Sequence, residues 1–586
     1  MAAADLMYHS SPVAQFRIDN ERLRMLIEQT APKSVLIFGT GPFQRRVLTG
    51  TVLCLLVAAL HHSVLVVLAR PVPHSCRRPD EYVNVPVDVW KSSGLPRQPD
   101  GSISQCRRYE PPLLPTPRGL TPSWAVVNRT EVPCDAWEYD LLSAGGPTIQ
   151  SQWDLVCDRG RGILVALAAS YIMGGVAVLP FAGHGADEIG RRPVLCVAVA
   201  ALALCSIATC LTRSLYVFVA LRVVTGAAAS VAEVMSTLIL FEVTPRGGRT
   251  AFTTLAFCGL SMLGPFWLSM VARCTYDWRA VQASLALAAT LLVPTTFWME
   301  ESPRWLVVTW RFAEAERVVF WAARVNGLNV KELRPLFSEV VENVKNRHYD
   351  SSPGTPPSPP SFWDLFRCPS IRTRALIIFG CWFFAHQAAV CLRPRNQLRQ
   401  FGIVEVVVTY AVPPLLALHY VLMKVWGRRQ TLALGMTVVS ALVTLLAVAL
   451  VLKHRSMITF MAYVTLLALL CVFTTLFVYT AEVFPTVVRG AGYGCSSVSG
   501  RLGALAAVGV RYVTTGDPLA TDVFALIVAS LGTFTFGLLA LLLPETNVLR
   551  VPDTIQEAEQ EEPVRVDSLL QILLHRRAGF TSHTKM

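Results

Sequence analysis

The sequence GHGADEIGRRP, residues 183–193, lies between two long apolar runs. It places an acid, a glycine and two adjacent arginines in a short gap. A second version, VLMKVWGRRQ at residues 421–430, keeps the glycine and both arginines, but Lys424 stands where the first copy has Asp187. Two imperfect copies of one motif predict an internal repeat.

The composition predicts a polytopic membrane protein. The chain has 586 residues, of which 53% are hydrophobic and 16% are charged. Soluble domains carry about 25% charged residues, and apolar runs near the roughly 20 residues that cross a bilayer recur here. The net charge of +12 arises mainly in loops between spans, so the preference of basic residues for the cytoplasmic side accounts for it better than nucleic-acid binding does. No cleavable signal peptide is predicted in residues 1–46.

The apolar runs predict twelve helical spans and two long polar segments. The spans lie near 47–69, 162–182, 193–212, 215–240, 251–272, 279–298, 373–392, 403–423, 431–452, 457–479, 490–512 and 520–543. Basic residues between them predict a cytoplasmic N-terminus, 1–46, and a cytoplasmic tail, 544–586. The six-helix units are then 47–298 and 373–543, joined by a cytoplasmic linker, 299–372.

The loop at 70–161 is predicted to be extracellular. It holds Cys76, Cys106, Cys134 and Cys157, and four cysteines outside the cell indicate two disulfides, with three possible pairings. The same loop carries Asn128 in a glycosylation triplet, which functions only on the lumenal side.

Three pairs of residues measure the repeat. Gly190 and Gly427 are 237 residues apart, Glu242 and Glu482 are 240 apart, and Glu301 and Glu545 are 244 apart. One nearly constant offset implies two parallel halves with substrate between them, the arrangement of the major facilitator fold.

The motifs resemble those of the organic cation, anion and zwitterion transporter family of the major facilitator superfamily, solute carrier family 22. The similarity covers about 40–560 and includes QWDLVCD (152–158), RVVTG (222–226), ESPRWLV (301–307), AEVFPTVVRG (481–490) and LPET…VPDTIQEAE (543–559). It implies an all-α membrane protein with twelve transmembrane helices in two pseudo-symmetric six-helix bundles.

The resemblance and the charges together predict a cytoplasmic gate. Acids there favour the positive N-terminal ends of helices, and arginines pair with acids or bind lipid phosphates. The predicted gating residues are Asp187, Gly190, Arg191, Arg192, Arg222, Glu242, Glu301, Arg304, Arg428, Arg429, Glu482, Arg489 and Glu545.

Charges near the bilayer midplane are costly and are usually functional. Glu233 lies inside the fourth span, and Arg501 occupies a position that resembles the anion-carrying members of the family. A structural ion pair of Glu233 with Arg501 or Arg222 is the alternative. Polar and aromatic side chains complete the predicted substrate site: Tyr171, Trp382, His386, Gln387 and Tyr410. For the aromatic residues, ordinary packing is the alternative.

Departures from the family pattern at Glu188, Val412 and Lys424 resemble the family's orphan branch, which includes a brain-type carrier also described as a lipocalin receptor. Two functions follow. The first is transport of a small organic anion or zwitterion across the plasma membrane by alternating access. The second is a receptor or scaffold that binds a secreted protein through the 70–161 loop. The sequence predicts neither an enzyme nor a cofactor or metal site.

Overall fold

The computed structural model describes residues 41–98, 101–110, 130–275, 277–351, 361–392, 403–513, 518–547 and 551–560. Asn128 and most of the proline-rich segment of the linker therefore lie outside the described residues.

Twelve long helices run through the described residues. They are α1 Pro42–Ser63, α2 Cys157–Ile189, α3 Arg191–Leu211, α4 Leu215–Val243, α5 Arg246–Cys274, α6 Trp278–Leu292, α7 Pro369–Cys391, α8 Ile403–Val425, α9 Arg428–Val451, α10 Arg455–Val483, α11 Arg489–Val513 and α12 Pro518–Leu539. Shorter helical segments extend three of them, at Leu65–Leu68, Val293–Phe297 and Ala540–Leu542.

The long helices match the predicted spans in order and place. Within the described residues, nine of them are long and apolar enough to cross a membrane, and α8 adds the shorter apolar stretch Tyr410–Val425. Several are longer than a bilayer requires. Helix α2 has 33 residues against the roughly 20 that span the hydrocarbon core, so its ends project beyond the predicted span.

The two sets of six helices meet along α2 and α11, and along α5 and α8. Glycines let α2 and α11 approach each other closely. A Cβ atom on Gly183 would lie 2.4 Å from the carbonyl oxygen of Gly490, and one on Gly490 would lie 2.5 Å from that of Gly183. Because small residues allow such backbone contact, the second half packs directly against the end of the α2 motif.

The segment between α1 and α2 forms a small disulfide-bonded unit. Strand β1 (His74–Cys76) pairs antiparallel with β4 (Trp137–Tyr139), and β2 (Arg107–Glu110) pairs with β3 (Thr130–Pro133). Its short helical segments are Asp80–Tyr82, Val87–Ser93, Leu141–Ala144 and Ile149–Gln152. Disulfides join Cys76 to Cys134 and Cys106 to Cys157, which selects one of the three pairings that the sequence allowed.

Short helices cover the opposite end of the bundle. In the linker they are Pro303–Val308, Phe312–Val325, Val330–Ser351 and Asp364–Arg367; Thr486–Val488 follows in the second half and Ile555–Gln560 in the C-terminal tail. Ser302 begins the first of them by accepting a hydrogen bond from the Trp305 backbone N–H at 3.2 Å. This N-cap seats Trp305 in the interior, where it is 1% exposed.

Candidate functional site

The two sequence motifs lie at one end of the helices, here called the motif face. Each forms a group of charged residues. The first cluster is Asp187, Arg191, Glu242 and Glu301, and the second cluster is Lys424, Arg428, Glu482 and Glu545.

One glutamate in each cluster caps the start of a helix. Glu301 accepts hydrogen bonds from the backbone N–H groups of Arg191 and Arg192, both at 3.0 Å. Glu545 accepts the same two hydrogen bonds at the start of α9, at 2.9 and 3.1 Å. The sequence predicted ion pairs with the arginine side chains, but a helix start leaves its first N–H groups without partners. Burial raises the pKa of Glu301, and the backbone N–H donors oppose that rise.

The glycine of each motif is required by this cap. Gly190 has φ +119° and Gly427 has φ +87°, a left-handed backbone that other residues rarely adopt. A Cβ on Gly190 would lie 2.4 Å from Glu301 Oε2, and one on Gly427 would lie 2.4 Å from the Glu545 carboxylate. Conformation and space therefore both exclude a side chain.

Arg191 is the centre of the first cluster. Its guanidinium lies 3.0 Å from Asp187 Oδ1 and 3.3 Å from Glu242 Oε2, and all three side chains are buried. It also lies over the Trp305 ring, 5.2 Å from the centroid, while the Trp305 indole N–H donates to the carbonyl oxygen of Asp187 at 2.9 Å. Two acids and an aromatic face compensate the buried charge.

The first cluster also reaches the second half. Arg489 Nη1 lies 2.8 Å from Glu242 Oε1. The Asp187 carboxylate accepts hydrogen bonds from the backbone N–H groups of Gly490 at 3.0 Å and Ala491 at 2.8 Å. These groups lie at the start of α11, so Asp187 occupies the positive helix end that the sequence predicted for it.

The second cluster repeats the ion pair but not the acid. Arg428 Nε lies 3.2 Å from Glu482 Oε2, and Arg428 Nη2 donates across the halves to Thr250 Oγ1 at 2.9 Å. Lys424 Nζ donates to the carbonyl oxygen of Gly247 at 2.9 Å. The lysine thus donates to a backbone carbonyl group at the start of α5, whereas Asp187 accepts from backbone N–H groups at the start of α11.

The C-terminal segment adds a contact that the sequence did not predict. Arg304 pairs with Asp553 at 2.6 Å and donates to the carbonyl oxygen of Val551 at 2.7 Å. Thr486, in the second half, donates through its hydroxyl to Asp553 at 2.7 Å and through its N–H to the carbonyl oxygen of Pro552 at 3.2 Å. Residues 551–553 therefore bridge the two halves. Their presence in a family-like motif was the only signal in the sequence.

An ion pair joins the halves inside the bundle. Arg501 Nη2 of α11 lies 3.0 Å from Glu233 Oε2 of α4, with side chains 15% and 27% exposed. The arginine also donates to Ser230 Oγ at 3.1 Å and to the carbonyl oxygen of Ser497 at 3.2 Å. A Cβ on Gly175 would lie 2.6 Å from Arg501 Nε. Of the two pairings left open, the structure has Glu233 with Arg501.

The aromatic candidates of α7 lie in the interior of the second half. Trp382 is 1% exposed, donates to Thr480 Oγ1 at 2.9 Å and stacks on His386 at 5.4 Å between ring centroids. Gln387 is buried, and its side-chain oxygen has no hydrogen-bond partner among the described residues. Trp382 and His386 thus form a packed layer, while Gln387 retains an unused acceptor.

Three predicted site residues lie elsewhere or have other partners. Arg222 does not join the motif-face clusters, because it lies in the other half of α4, beside the Tyr171 ring at 4.8 Å. Tyr410 is 72% exposed and shares one stripe of α8 with the exposed apolar residues Leu418 and Val421. Residues eight and eleven positions apart lie on one helix face, so Tyr410 faces outward and not into the interior. Arg192, predicted as a gating residue, pairs with Glu300 at 3.0 Å.

Known proteins are similar to this chain in sequence. The family described as "Sugar (and other) transporter" matches residues 161–553. Rat solute carrier family 22 member 7 is 30% identical over 554 residues, covering 90% of this chain and 98% of that protein. The human member 7 is 30% identical over 571 residues, covering 89% and 95%. The chain belongs to solute carrier family 22. Mouse organic anion transporter 3 is also similar, with 28% identity over 535 residues, covering 89% of this chain and 92% of that protein.

Solved structures support the same fold. The major facilitator superfamily proton:xylose symporter XylE, bound to 6-bromo-6-deoxy-D-glucose, superposes with a TM-score of 0.60 at 14% identity, covering 88% of this chain and 98% of that chain. The predicted fold class, an all-α major facilitator protein, is confirmed. Solute carrier family 22 is a transporter family and not an enzyme family, so membrane transport of a small organic solute is the general function. Placement in the orphan branch stays a prediction.

Proposed function

We propose that this member of solute carrier family 22 transports small organic anions or zwitterions across the plasma membrane by alternating access. The observation that carries the proposal is the Glu233–Arg501 pair, at 3.0 Å, between helices of opposite halves. A cationic group inside a membrane protein usually marks the path of a charged solute. The name of the related organic anion transporter 3 agrees with the sign of that charge.

The pair links binding to movement. An anionic substrate that approaches Arg501 competes with Glu233 for the same guanidinium. Substrate binding then replaces a contact that joins α4 to α11, and a ligand shifts a conformational equilibrium only through such a difference between states. A zwitterion would satisfy both charges at once, its anionic group at Arg501 and its cationic group at Glu233.

The motif face supplies the gate in this proposal. Asp187, Arg489 and Arg428 each make a contact across the two halves, so opening this face must break all three. Residues 47–298 and 373–543 are then the two moving bundles, the 299–372 linker joins them, and the motif face and both termini are cytoplasmic. Labelling of engineered cysteines with an impermeant reagent in intact cells tests this orientation.

Uptake in proteoliposomes tests the proposal. A panel of radiolabelled organic anions, zwitterions and cations is applied to wild type, Arg501→Asp and Arg501→Lys. Loss of anion uptake in Arg501→Asp, with partial activity in Arg501→Lys, is expected. Arg455→Asp, at an exposed position at the start of α10, is the control for a general effect of charge reversal.

Two results would contradict the proposal. One is no uptake of any organic ion by wild type, and the other is equal anion uptake by wild type and Arg501→Asp. The receptor alternative stays a prediction, and binding of a secreted protein by a chain inactive in transport would favour it.

A further inference from the structure

Arg222 is a buried cation without an acidic partner. It is 4% exposed, and no carboxylate among the described residues lies within ion-pair distance of it. Its hydrogen bond goes from Nη1 to the carbonyl oxygen of His61 at 3.3 Å, and its buried Nε has no partner among the described residues. A charged group in this position is strongly unfavourable unless something compensates it.

Four other arginines inside the protein are each paired with an acid. Arg191 lies 3.0 Å from an aspartate, Arg489 lies 2.8 Å from a glutamate, and Arg428 lies 3.2 Å from a glutamate. Arg501 has Glu233. Arg222 therefore differs from these four arginines, each of which has a carboxylate within ion-pair distance.

The surroundings of Arg222 are aromatic and polar but not acidic. The guanidinium lies over the Tyr171 ring, 4.8 Å from its centroid, and the Tyr171 hydroxyl is engaged with the carbonyl oxygen of Ala58 at 3.3 Å. His62, which is exposed, lies edge-on to the same ring at 5.6 Å. Ring and carbonyl groups stabilise a cation only in part, so one anionic group remains to be supplied.

The Arg222 site is close to the interior ion pair. Tyr171 lies within electrostatic reach of Arg222, Arg501 and Glu233 together. Two arginines and one carboxylate leave this region with one uncompensated positive charge, and Arg222 carries it. His61 supplies no negative charge, because a histidine side chain is neutral or cationic, and its Nε2 is hydrogen-bonded to Ser206 Oγ at 3.1 Å.

We propose that Arg222 is a second anion-binding residue: its guanidinium, positioned by the Tyr171 ring and the His61 carbonyl, binds a singly charged anionic group. The group is either the carboxylate of an organic substrate or a small inorganic anion, because both offer the compact negative charge that a guanidinium binds. The proposal rests on the proposed function for its role in transport, but the binding itself does not depend on transport.

Ligand-induced stabilisation of the purified full-length protein tests the site. A ligand that binds the folded state raises its thermal midpoint with a saturable concentration dependence. Sodium benzoate and sodium chloride are titrated separately, at constant ionic strength set with sodium sulfate. Wild type is expected to show a saturable rise with at least one of them, and Arg222→Gln is expected to need at least tenfold more of that ligand for half-saturation.

Matched variants separate the possible results. Arg213→Gln, an exposed arginine just before the same helix, should titrate as wild type does, and Arg222→Lys should keep part of the response. Each variant is compared with its own ligand-free midpoint, so a less stable protein remains informative. Loss of the benzoate response alone identifies a substrate carboxylate, and loss of the chloride response alone identifies an inorganic anion.

The proposal is overturned if wild type shows no saturable response, or if Arg222→Gln keeps the wild-type half-saturation for both ligands. Failure of the transport proposal looks different. A wild-type protein that transports nothing but loses its anion response in Arg222→Gln would retain the Arg222 site and contradict only the transport cycle.

Discussion

The two charge clusters of the motif face share their backbone and differ in their electrostatics. Both use a glycine with positive φ and a distant glutamate that caps the following helix. In the first, Asp187 accepts two N–H groups from the opposite half, whereas in the second, Lys424 donates to one carbonyl group. The helix cap and the contact between halves are therefore separable functions of one motif. The second copy keeps the helix cap but makes a different contact with the other half.

The largest expected effect is at Glu242. Its carboxylate serves Arg191 and Arg489 together, so Glu242→Gln leaves two buried guanidinium groups poorly compensated. Removing one partner of a buried ion pair costs about 3–5 kcal/mol. Glu482 serves one arginine, and Arg428 keeps its hydrogen bond to Thr250, so Glu482→Gln should cost less, about 1–3 kcal/mol.

The thermal midpoints of the purified proteins measure this difference. Glu316→Gln is the control, because Glu316 is partly exposed and lies 3.7 Å from Arg334. Equal midpoints for Glu242→Gln and Glu482→Gln would show that the contact between Arg489 and Glu242 adds nothing to the first cluster.

A smaller and symmetric effect is expected at the two glycines. Gly190→Ala and Gly427→Ala each force a Cβ against a capping carboxylate and impose a positive φ on alanine, at a cost of about 1–3 kcal/mol. Gly185→Ala, at a helical position with no atom within 4 Å of the added Cβ, is the control and should be neutral or slightly stabilising. Thermal midpoints that fall for one glycine only would break the structural equivalence of the two motifs.

The smallest effect is expected from exchanging the acid and the lysine. Asp187→Asn removes a negative charge from the start of α11, and Lys424→Asp places a negative charge at the start of α5. The interaction of one charge with a helix terminus changes the free energy by about 0.3–1 kcal/mol. In the purified protein, the rate at which a maleimide reacts with a cysteine on the motif face should rise in Asp187→Asn and fall in Lys424→Asp. Unchanged labelling in Lys424→Asp would mean that the second cluster does not control opening of this face.

The repeat itself was readable from the sequence. Gly190 and Gly427, each followed by paired arginines, predicted an internal repeat and two parallel halves. The positive φ that requires glycine at each helix start is seen only in the structure. The partners were less predictable. Glu301 was expected to pair with arginine side chains, but it accepts hydrogen bonds from the backbone N–H groups of Arg191 and Arg192. Every residue except proline has such a group, so the residue types do not reveal which N–H groups a glutamate will bind. Contacts between halves, such as Arg489 with Glu242, depend on packing over a separation of 247 residues.

The interior shows the same limit. Spacing along α4 allowed Glu233 to pair with Arg222 or Arg501, and only the position of α11 decides between them. Tyr410 was predicted as a substrate-site residue because it is a polar aromatic residue. In the structure it lies on the exposed side of α8 and not in the interior. The four cysteines of the loop predicted two disulfides but not which cysteines are paired.

The Cys106–Cys157 disulfide has a mechanical consequence. It joins the loop unit to the first residue of α2, while strand β1 follows α1 after a few residues. Both attachments belong to the first half, so the loop unit is tied to that half at both of its ends. In the proposed alternating-access cycle, energy transfer between a fluorophore on this unit and one at the end of α9 away from the motif face should change with each turn of the cycle. A partner dye at the corresponding end of α3, in the first half, should give a constant signal.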